Sequence, residues 1–195
     1  MRHFTKQDYT ISQWSGGTTT QIAIYPPNAL YADRDFLWRI SSATVDLEES
    51  DFTPLGDYQR WITVLDGTMT LTHDGGSPIE LTVGKVHEFD GGSQTHSVGR
   101  CTDFNLMLRK GKCRGALRTL PLSAGNSREI APKVSGSDSS TLVVFCRSGS
   151  GIVSADGKVL AIAPYESVLT EDAASKTITL TAEKDALFIL AEIHG

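Results

Sequence analysis

The chain of 195 residues lacks the marks of several large protein classes. Its only cysteines, Cys101, Cys113 and Cys146, are too few and too widely spaced for a disulfide framework, and they form no CxxC pair. We therefore expect three reduced thiols that act as small buried hydrophobic groups, and a cytoplasmic location. No apolar run is long enough to cross a membrane, and the first residues lack the apolar segment of a signal peptide.

Charge of one sign and metal-binding patterns are also scarce. The 18 Lys and Arg against 23 Asp and Glu give a net charge of −5, and they form no basic block. Nucleic acid and membrane are therefore excluded as expected partners. None of the five histidines stands at HxH or HxxxH spacing; His87 and His96 are the nearest pair beside a turn. We predict no metal and no other cofactor, because a zinc or iron site needs three or four convergent ligands.

The chain is rich in short strand-like segments separated by Gly, Pro, Asp and Ser. Examples are "TTTQIAIY", "FLWRISSATV", "RWITVLDG" and "DFNLMLRKG". They recur about every ten residues, which is typical of an all-β sandwich or barrel. Helical periodicity is rare, and the best helix candidates are short segments such as "PPNALYADR".

A faint internal repeat suggests two halves. "VLDGTMTLTHDGG", from Val64, aligns with "CRSGSGIVSADGK", from Cys146. The aligned positions are Gly67 with Gly149, Asp74 with Asp156, and Gly75 with Gly157. Each half reads as strand, glycine turn, strand and Asp-Gly hairpin. The segment Pro121–Ser140 reads as a connector. We predict two tandem β-barrel or jelly-roll halves, residues 1–120 with the ligand pocket and residues 121–195 with a more apolar core, packed as one globular unit.

The stretch "DFTPLGDYQRWITVLDG" resembles the metal-binding strand of cupin barrels. In those barrels a histidine pair precedes an acid that stands seven residues before a glycine. With that glycine at Gly67, Arg60 takes the position of the acid, and "TPLG" stands where the histidines would be. The segment "GKVHEFDGGSQTH" echoes the second cupin element. The scaffold signature is therefore kept, while the first half of the metal site is lost.

Four segments make the chain resemble the HutD/Ves family of cupin-like bacterial proteins. They are "WSGGTTTQI", "FLWRISSA", "FTPLGDYQRWITVLDG", and "FDGG" together with "DFNLM". The resemblance implies a bicupin fold of RmlC-like jelly rolls and a small-molecule pocket for a formylated or carboxylated metabolite. It also implies a link to histidine utilisation or stress response, without an established enzymatic activity.

Strand alternation indicates which side chains meet in the first half. Arg39 and Ser41 share one face of their strand, and Asp103 and Asn105 share one face of theirs. If these faces and that of Arg60 all point inward, the interior holds several polar groups among apolar walls, which is typical of a ligand site. A buried Arg needs an anion, which either Asp103 or a ligand carboxylate could supply.

Our leading hypothesis is therefore a metal-free protein that senses or regulates through a small anionic metabolite. In this hypothesis Arg60 and Arg39 clamp a carboxylate and Asn105 and Ser41 orient it. The remaining predicted site residues are Asp103, which could pair with an arginine, and Trp14 and Trp38, which would form the walls.

Two other functions stay open at this point. One is an enzyme, an isomerase or hydrolase acting on a histidine-degradation intermediate, with His96, Asp103 or Glu88 as general base. The other is an interaction protein whose arginines face a partner chain. We favour binding over catalysis, and a homodimer is an open alternative because exposed sheet edges often pair.

Overall fold

The structure, a computed structural model, describes residues 1–131 and 139–195. The prediction of an all-β chain is confirmed, because the regular elements of these residues are strands and two short 3-10 turns, Tyr31–Asp33 and Ala173–Ser175. The strands are β1 (Arg2–Phe4), β2 (Thr10–Trp14), β3 (Gly17–Tyr25), β4 (Trp38–Val45), β5 (Glu49–Asp51), β6 (Tyr58–Gly67), β7 (Met69–His73), β8 (Ile79–Leu81), β9 (Val86–Asp90), β10 (Thr95–Val98), β11 (Cys101–Arg109), β12 (Arg114–Leu122), β13 (Ser127–Ile130), β14 (Ser140–Ala155), β15 (Lys158–Ile162), β16 (Ser167–Glu171) and β17 (Ile178–His194).

The chain divides into two compact units. One unit is Tyr9–Cys113, and the other combines Met1–Asp8 with Arg114–Gly195. Our sequence division at residue 120 differs, since that position lies inside β12, which pairs along its length with β17. The N-terminal strand β1 likewise pairs with β16 of the second unit. Long-range strand pairing of this kind leaves no local signal in the sequence.

The unit Tyr9–Cys113 contains two antiparallel sheets. A six-stranded sheet has the order β2-β3-β4-β11-β6-β9, and a four-stranded sheet has the order β5-β10-β7-β8. Apolar side chains such as Ile62, Leu71 and Leu81, all fully buried, form part of the core. The hydrogen-bonded orders of these sheets are open, so the closed barrels predicted from the sequence are not confirmed.

In its described residues, the second unit forms a single seven-stranded sheet. Its order is β1-β16-β14-β17-β12, with β13 paired to β17 and β15 paired to β14. The apolar runs "TLVVFC" and "ALFILAEI" lie on the neighbouring strands β14 and β17 and supply much of the buried core. The predicted connector Pro121–Ser140 contains the end of β12 and all of β13; its residues 132–138 lie outside the described residues.

The repeat seen in the sequence has matching backbone geometry. Gly67 and Gly149 have φ of 79° and 80°, and each lies where a Cβ would collide with a facing carbonyl oxygen. At the hairpins both residues of each Asp-Gly pair have positive φ, which is the pattern of a type I′ turn. The three aligned positions therefore adopt the same conformations in both units.

The central strand β11 positions the site. It lies between β4 and β6, and its register against β6 shifts between Thr102 and Asp103, which marks a β-bulge. Beyond the bulge, Phe104 and Leu106 are completely buried on one face. Asp103 and Asn105 lie on the opposite face, which faces the cavity described below.

Three further observations concern the predictions from composition. Cys101 and Cys146 are buried, Cys113 is half-buried, and all three are free thiols. In the described part of the chain, no helix is long and apolar enough to span a membrane. The segment "PPNALYADR" holds only the 3-10 turn Tyr31–Asp33, and it places two residues of the site.

Candidate functional site

A cavity of about 380 Å³ lies within the unit Tyr9–Cys113. Residues from β2, β3, β4, β5, β6 and β11 line it, together with residues of and just after the first 3-10 turn and residues that follow β5. Six of the seven predicted site residues are among its lining: Trp14, Arg39, Ser41, Arg60, Asp103 and Asn105. The strand faces predicted from side-chain alternation thus converge on this cavity. The volume suits a small metabolite.

Arg60 is the most enclosed cation of the site. It is 6% exposed, and its guanidinium carbon lies 5.0 Å from the ring centroids of both Phe52 and Phe89. Its Nη2 donates to Oδ1 of Asn105 at 3.1 Å, while its buried Nε has no hydrogen-bond partner among the described residues. Burial lowers the pKa of Arg60 to about 10, so the group stays protonated at neutral pH. An unused donor on a buried cation is costly unless something binds it.

Asn105 connects this cation to a carboxylate. Its Nδ2 donates to Oδ1 of Asp103 at 2.7 Å, and the backbone N–H of Ala43 donates to the same oxygen at 3.1 Å. Arg60 and Asp103 are therefore linked through the amide of Asn105 rather than by a direct ion pair. Burial raises the pKa of Asp103 to about 7, although the nearby hydrogen bonds and arginines act in the opposite direction. The predicted internal counter-ion is accordingly a weak one at neutral pH.

Arg39 is held by neutral groups. Its Nε donates to Oε1 of Gln21 and its Nη1 donates to Oγ of Ser41, each at 2.9 Å. Burial lowers the pKa of Arg39 to about 10. Arg39 and Arg60 both oppose Met107 of β11, one from each neighbouring strand. The two guanidiniums thus enter the cavity from either side of the same strand, and both add positive charge to it.

Tyr31 and Arg34 are among the lining residues that the sequence analysis did not select. The guanidinium carbons of Arg34 and Arg39 lie 3.7 Å and 4.2 Å from the ring centroid of Tyr31. Arg34 follows the 3-10 turn in a left-handed conformation, with φ of 57°. In the sequence, Tyr31 and Arg34 stand in "PPNALYADR", a segment that predicts a short helix and gives no sign of a ligand site.

The two predicted wall residues have different positions. Trp14, at the end of β2, lines the cavity. Trp38 points to the opposite face of β4 from Arg39 and stacks on Tyr25, with ring centroids 5.8 Å apart. Trp38 is therefore not among the lining residues, and its predicted role as a wall is corrected. The strand period of two requires this, since Trp38 and Arg39 are adjacent in the chain.

The histidines pair differently from the expectation. His87 lies against His73, with 2.9 Å between the two Nε2 atoms, and both rings stack on Phe89. Burial lowers the pKa of both histidines. His96 lies apart, with its Nδ1 on Asp51, and this hydrogen bond raises the pKa of His96.

The described residues contain no group of three or more His, Cys, Asp or Glu side chains that could hold a metal ion. The segment "TPLG" stands where the cupin pattern would place histidines. Its Thr53, a residue with a hydroxyl group, is among the residues that line the cavity. The cationic groups of the cavity are arginines.

Comparisons with known proteins identify the family. The HutD family model matches residues 6–188, nearly the whole chain. The chain belongs to the HutD family. Protein Ves of Cronobacter sakazakii is 32% identical over 127 residues, covering 60% of this chain and 66%, just under two thirds, of that protein.

Solved structures of the HutD family and of other proteins share the fold. A conserved protein of Pseudomonas aeruginosa PAO1 is similar with a TM-score of 0.84 and 26% identity, over 100% of this chain and 98% of the other. HutD from Pseudomonas fluorescens SBW25, in a structure described as the formate condition, has a TM-score of 0.73 and 25% identity, over 98% of each chain. Escherichia coli YhhW, at 11% identity and a TM-score of 0.70, covers 98% of this chain and 96% of its own; this likeness concerns the fold alone. The chain is thus a cupin-like member of the HutD family.

Proposed function

We propose that this protein binds a small anionic metabolite through a carboxylate, in the cavity of the unit Tyr9–Cys113, and does so without a metal. The buried Nε of Arg60, which has no hydrogen-bond partner among the described residues, is the observation that carries the proposal. Arginine cannot easily give up its proton, so the vacant donor requires an acceptor from outside. A carboxylate fits, because its two oxygens match the planar fork of a guanidinium.

The surroundings of Arg60 support a ligand rather than an internal partner. Within the described residues, the Arg60 guanidinium donates a hydrogen bond only to the neutral amide oxygen of Asn105. The rings of Phe52 and Phe89 both lie 5.0 Å from the guanidinium carbon, so aromatic side chains that cannot accept a strong hydrogen bond cover part of this cation. Arg39 and Ser41, already bonded to each other, present a second donor group to the same cavity. Preorganised donors of this kind bind an anion with little loss of side-chain freedom.

We further propose that binding serves sensing or regulation connected with histidine utilisation or stress response. Membership of the HutD family supports this role. The fold is proposed to be a bicupin, two cupin-like jelly rolls in tandem. The matching conformations of the three repeated turn positions support this duplication.

The test is calorimetric titration of the wild-type protein with formate, acetate and longer carboxylates, each against its uncharged amide. Binding of carboxylates but not of amides is expected. The proposal would be rejected if no carboxylate gave a heat of binding in the titration and none raised the melting temperature of the protein. Elemental analysis of the same sample is expected to give well below one transition metal per chain.

A second candidate function is proton transfer, and Asp103 is the observation that favours it. Of the three bases considered, Asp103 lines this cavity, whereas Glu88 is exposed and bonded to Gln59 and His96 lies with Asp51. A buried carboxyl whose pKa lies near 7 suits a general acid or base. Turnover of a bound carboxylate that is abolished by Asp103→Asn would favour the enzyme over the sensor.

A further inference from the structure

The cavity contains a third arginine, Arg34, that the single-carboxylate hypothesis does not use. Arg34 and Arg39 approach the ring of Tyr31, as described above, and Nη1 of Arg34 is buried with no hydrogen-bond partner among the described residues. We call these three residues the Tyr31 subsite. It provides one vacant donor, and Arg60 independently provides another.

The backbone fixes the position of Arg34. Its left-handed conformation is uncommon for a residue with a side chain. Its carbonyl oxygen accepts hydrogen bonds from the hydroxyl of Tyr58 and from Nη2 of Arg109, each at 2.9 Å. A turn held in this way directs the guanidinium to one place, whereas an arginine used only for solubility would need no such support.

The charges of the cavity do not balance. Three arginines, Arg34, Arg39 and Arg60, line it, and none of them forms an ion pair within the described residues. Two acids also line it. Asp51 is engaged by His96, and Asp103 is only partly ionised at neutral pH because its pKa is about 7. A ligand with a single negative charge would leave positive charge uncompensated in a partly buried space.

The spacing of the two cationic groups fits one elongated ligand. Arg39 and Arg60 oppose the same residue of β11 from its two neighbouring strands. Their backbones are thus two strand spacings apart, roughly 10 Å. With both side chains directed into the same cavity, the guanidiniums can meet two anionic groups that are joined by a short carbon chain.

From these contacts we propose that the ligand is a dianion, a small molecule with an anionic group at each end. One group binds Arg60, and the other binds the Tyr31 subsite through Arg34 and Arg39. This inference rests on the proposed function, because it assigns the second half of the same ligand.

The test compares matched probes on matched variants. Succinate and butanoate have the same number of carbon atoms but two and one carboxylates, and glutarate and pentanoate form a second such pair. With the wild-type protein, each dicarboxylate is expected to bind at least about tenfold more tightly than its partner in calorimetry. Arg34→Met keeps an unbranched apolar chain of about the length of the arginine stem and removes the guanidinium donors. It should lower the affinity for the dicarboxylate by a larger factor than the affinity for its monocarboxylate partner, because only the dicarboxylate needs both cationic groups at once.

Arg100→Met is the control, since Arg100 is exposed, pairs with Glu48 and does not line the cavity. It should change neither affinity. Equal binding of the mono- and dicarboxylates by the wild-type protein would overturn the dianion, even if Arg34→Met failed to fold. An equal loss for both probes in a folded Arg34→Met would overturn the subsite. If no carboxylate binds at all, the proposed function fails with it; if monocarboxylates bind and a second carboxylate adds nothing, only this inference fails.

Discussion

Replacing Arg60 by Met separates a binding role from a structural one. The methionine side chain can occupy the place of the aliphatic stem of Arg60, and its thioether can contact the rings of Phe52 and Phe89 that the guanidinium approaches, so packing is largely kept. Loss of the guanidinium removes charge-assisted hydrogen bonds to a carboxylate, which contribute about 1.5–3 kcal/mol. We expect carboxylate affinity to fall roughly tenfold to hundredfold in calorimetric titration. Arg60→Lys should also weaken binding, because the ammonium group lacks the planar fork.

Stability should respond in the opposite sense. The Met variant leaves Oδ1 of Asn105 without its donor, at a cost of about 1–3 kcal/mol. It also removes a buried cation that forms no ion pair, and the desolvation of such a group costs several kcal/mol. The ligand-free variant should therefore melt at or above the temperature of the wild type, with Arg100→Met as the charge control. A lowered melting temperature with unchanged affinity would refute the reasoning and make Arg60 a structural residue.

Three other outcomes are expected. Burial raises the pKa of Asp103 from 3.8 to about 7, so the folded state holds this proton more tightly than the unfolded state. The ligand-free protein should thus lose stability as the pH rises from about 4 to about 7, and carboxylate affinity should fall over the upper part of this range. Asp103→Asn should flatten both dependences in urea unfolding and calorimetry; unchanged slopes would contradict the assignment. Gly67→Ala should cost about 1–3 kcal/mol in urea unfolding, because a Cβ there would lie 2.6 Å from a carbonyl oxygen, and Gly75→Ala should cost less, because its Cβ meets nothing within 4 Å. Equal losses would show that collision is not the cause. Tyr58→Phe removes the hydroxyl that holds the Arg34 carbonyl and should lower stability by about 0.5–1.5 kcal/mol in thermal melts, an effect that an idle hydroxyl would not produce.

Strand alternation was sufficient to predict much of the site. Arg39 and Ser41 on one strand and Asp103 and Asn105 on another were expected to share faces, and the structure directs both faces into one cavity. The same rule, applied strictly, would have excluded Trp38, which is adjacent to Arg39. The all-β class followed from turn residues and short β-branched runs.

What could not be predicted depends on the fold in three dimensions. The aromatic faces around Arg60 come from separate segments, since Phe52 follows β5 and Phe89 lies on β9. The position of Arg34 depends on a left-handed backbone conformation, for which arginine has no intrinsic preference. The unit boundary depends on pairing between strands far apart in the chain, such as β1 with β16. No short stretch of sequence carries these relations.

Strand β11 makes this site sensitive to length as well as to composition. It pairs with β4 without a register shift, and the extra residue of its bulge with β6, Leu65, lies on β6. Because side chains alternate along a strand, deletion of one residue of β11 just before Asp103 would exchange the two faces of the strand beyond that point. Phe104 and Leu106 would then enter the cavity, while Asp103 and Asn105 would be forced among the apolar side chains. Point substitutions can therefore change the polar groups of this site one at a time. A single residue inserted or deleted in β11 next to Asp103 would instead exchange the side chains that face the cavity for those that face the core. Sequence divergence within this family should therefore preserve the number of residues in β11, even where substitutions change which ligand is bound.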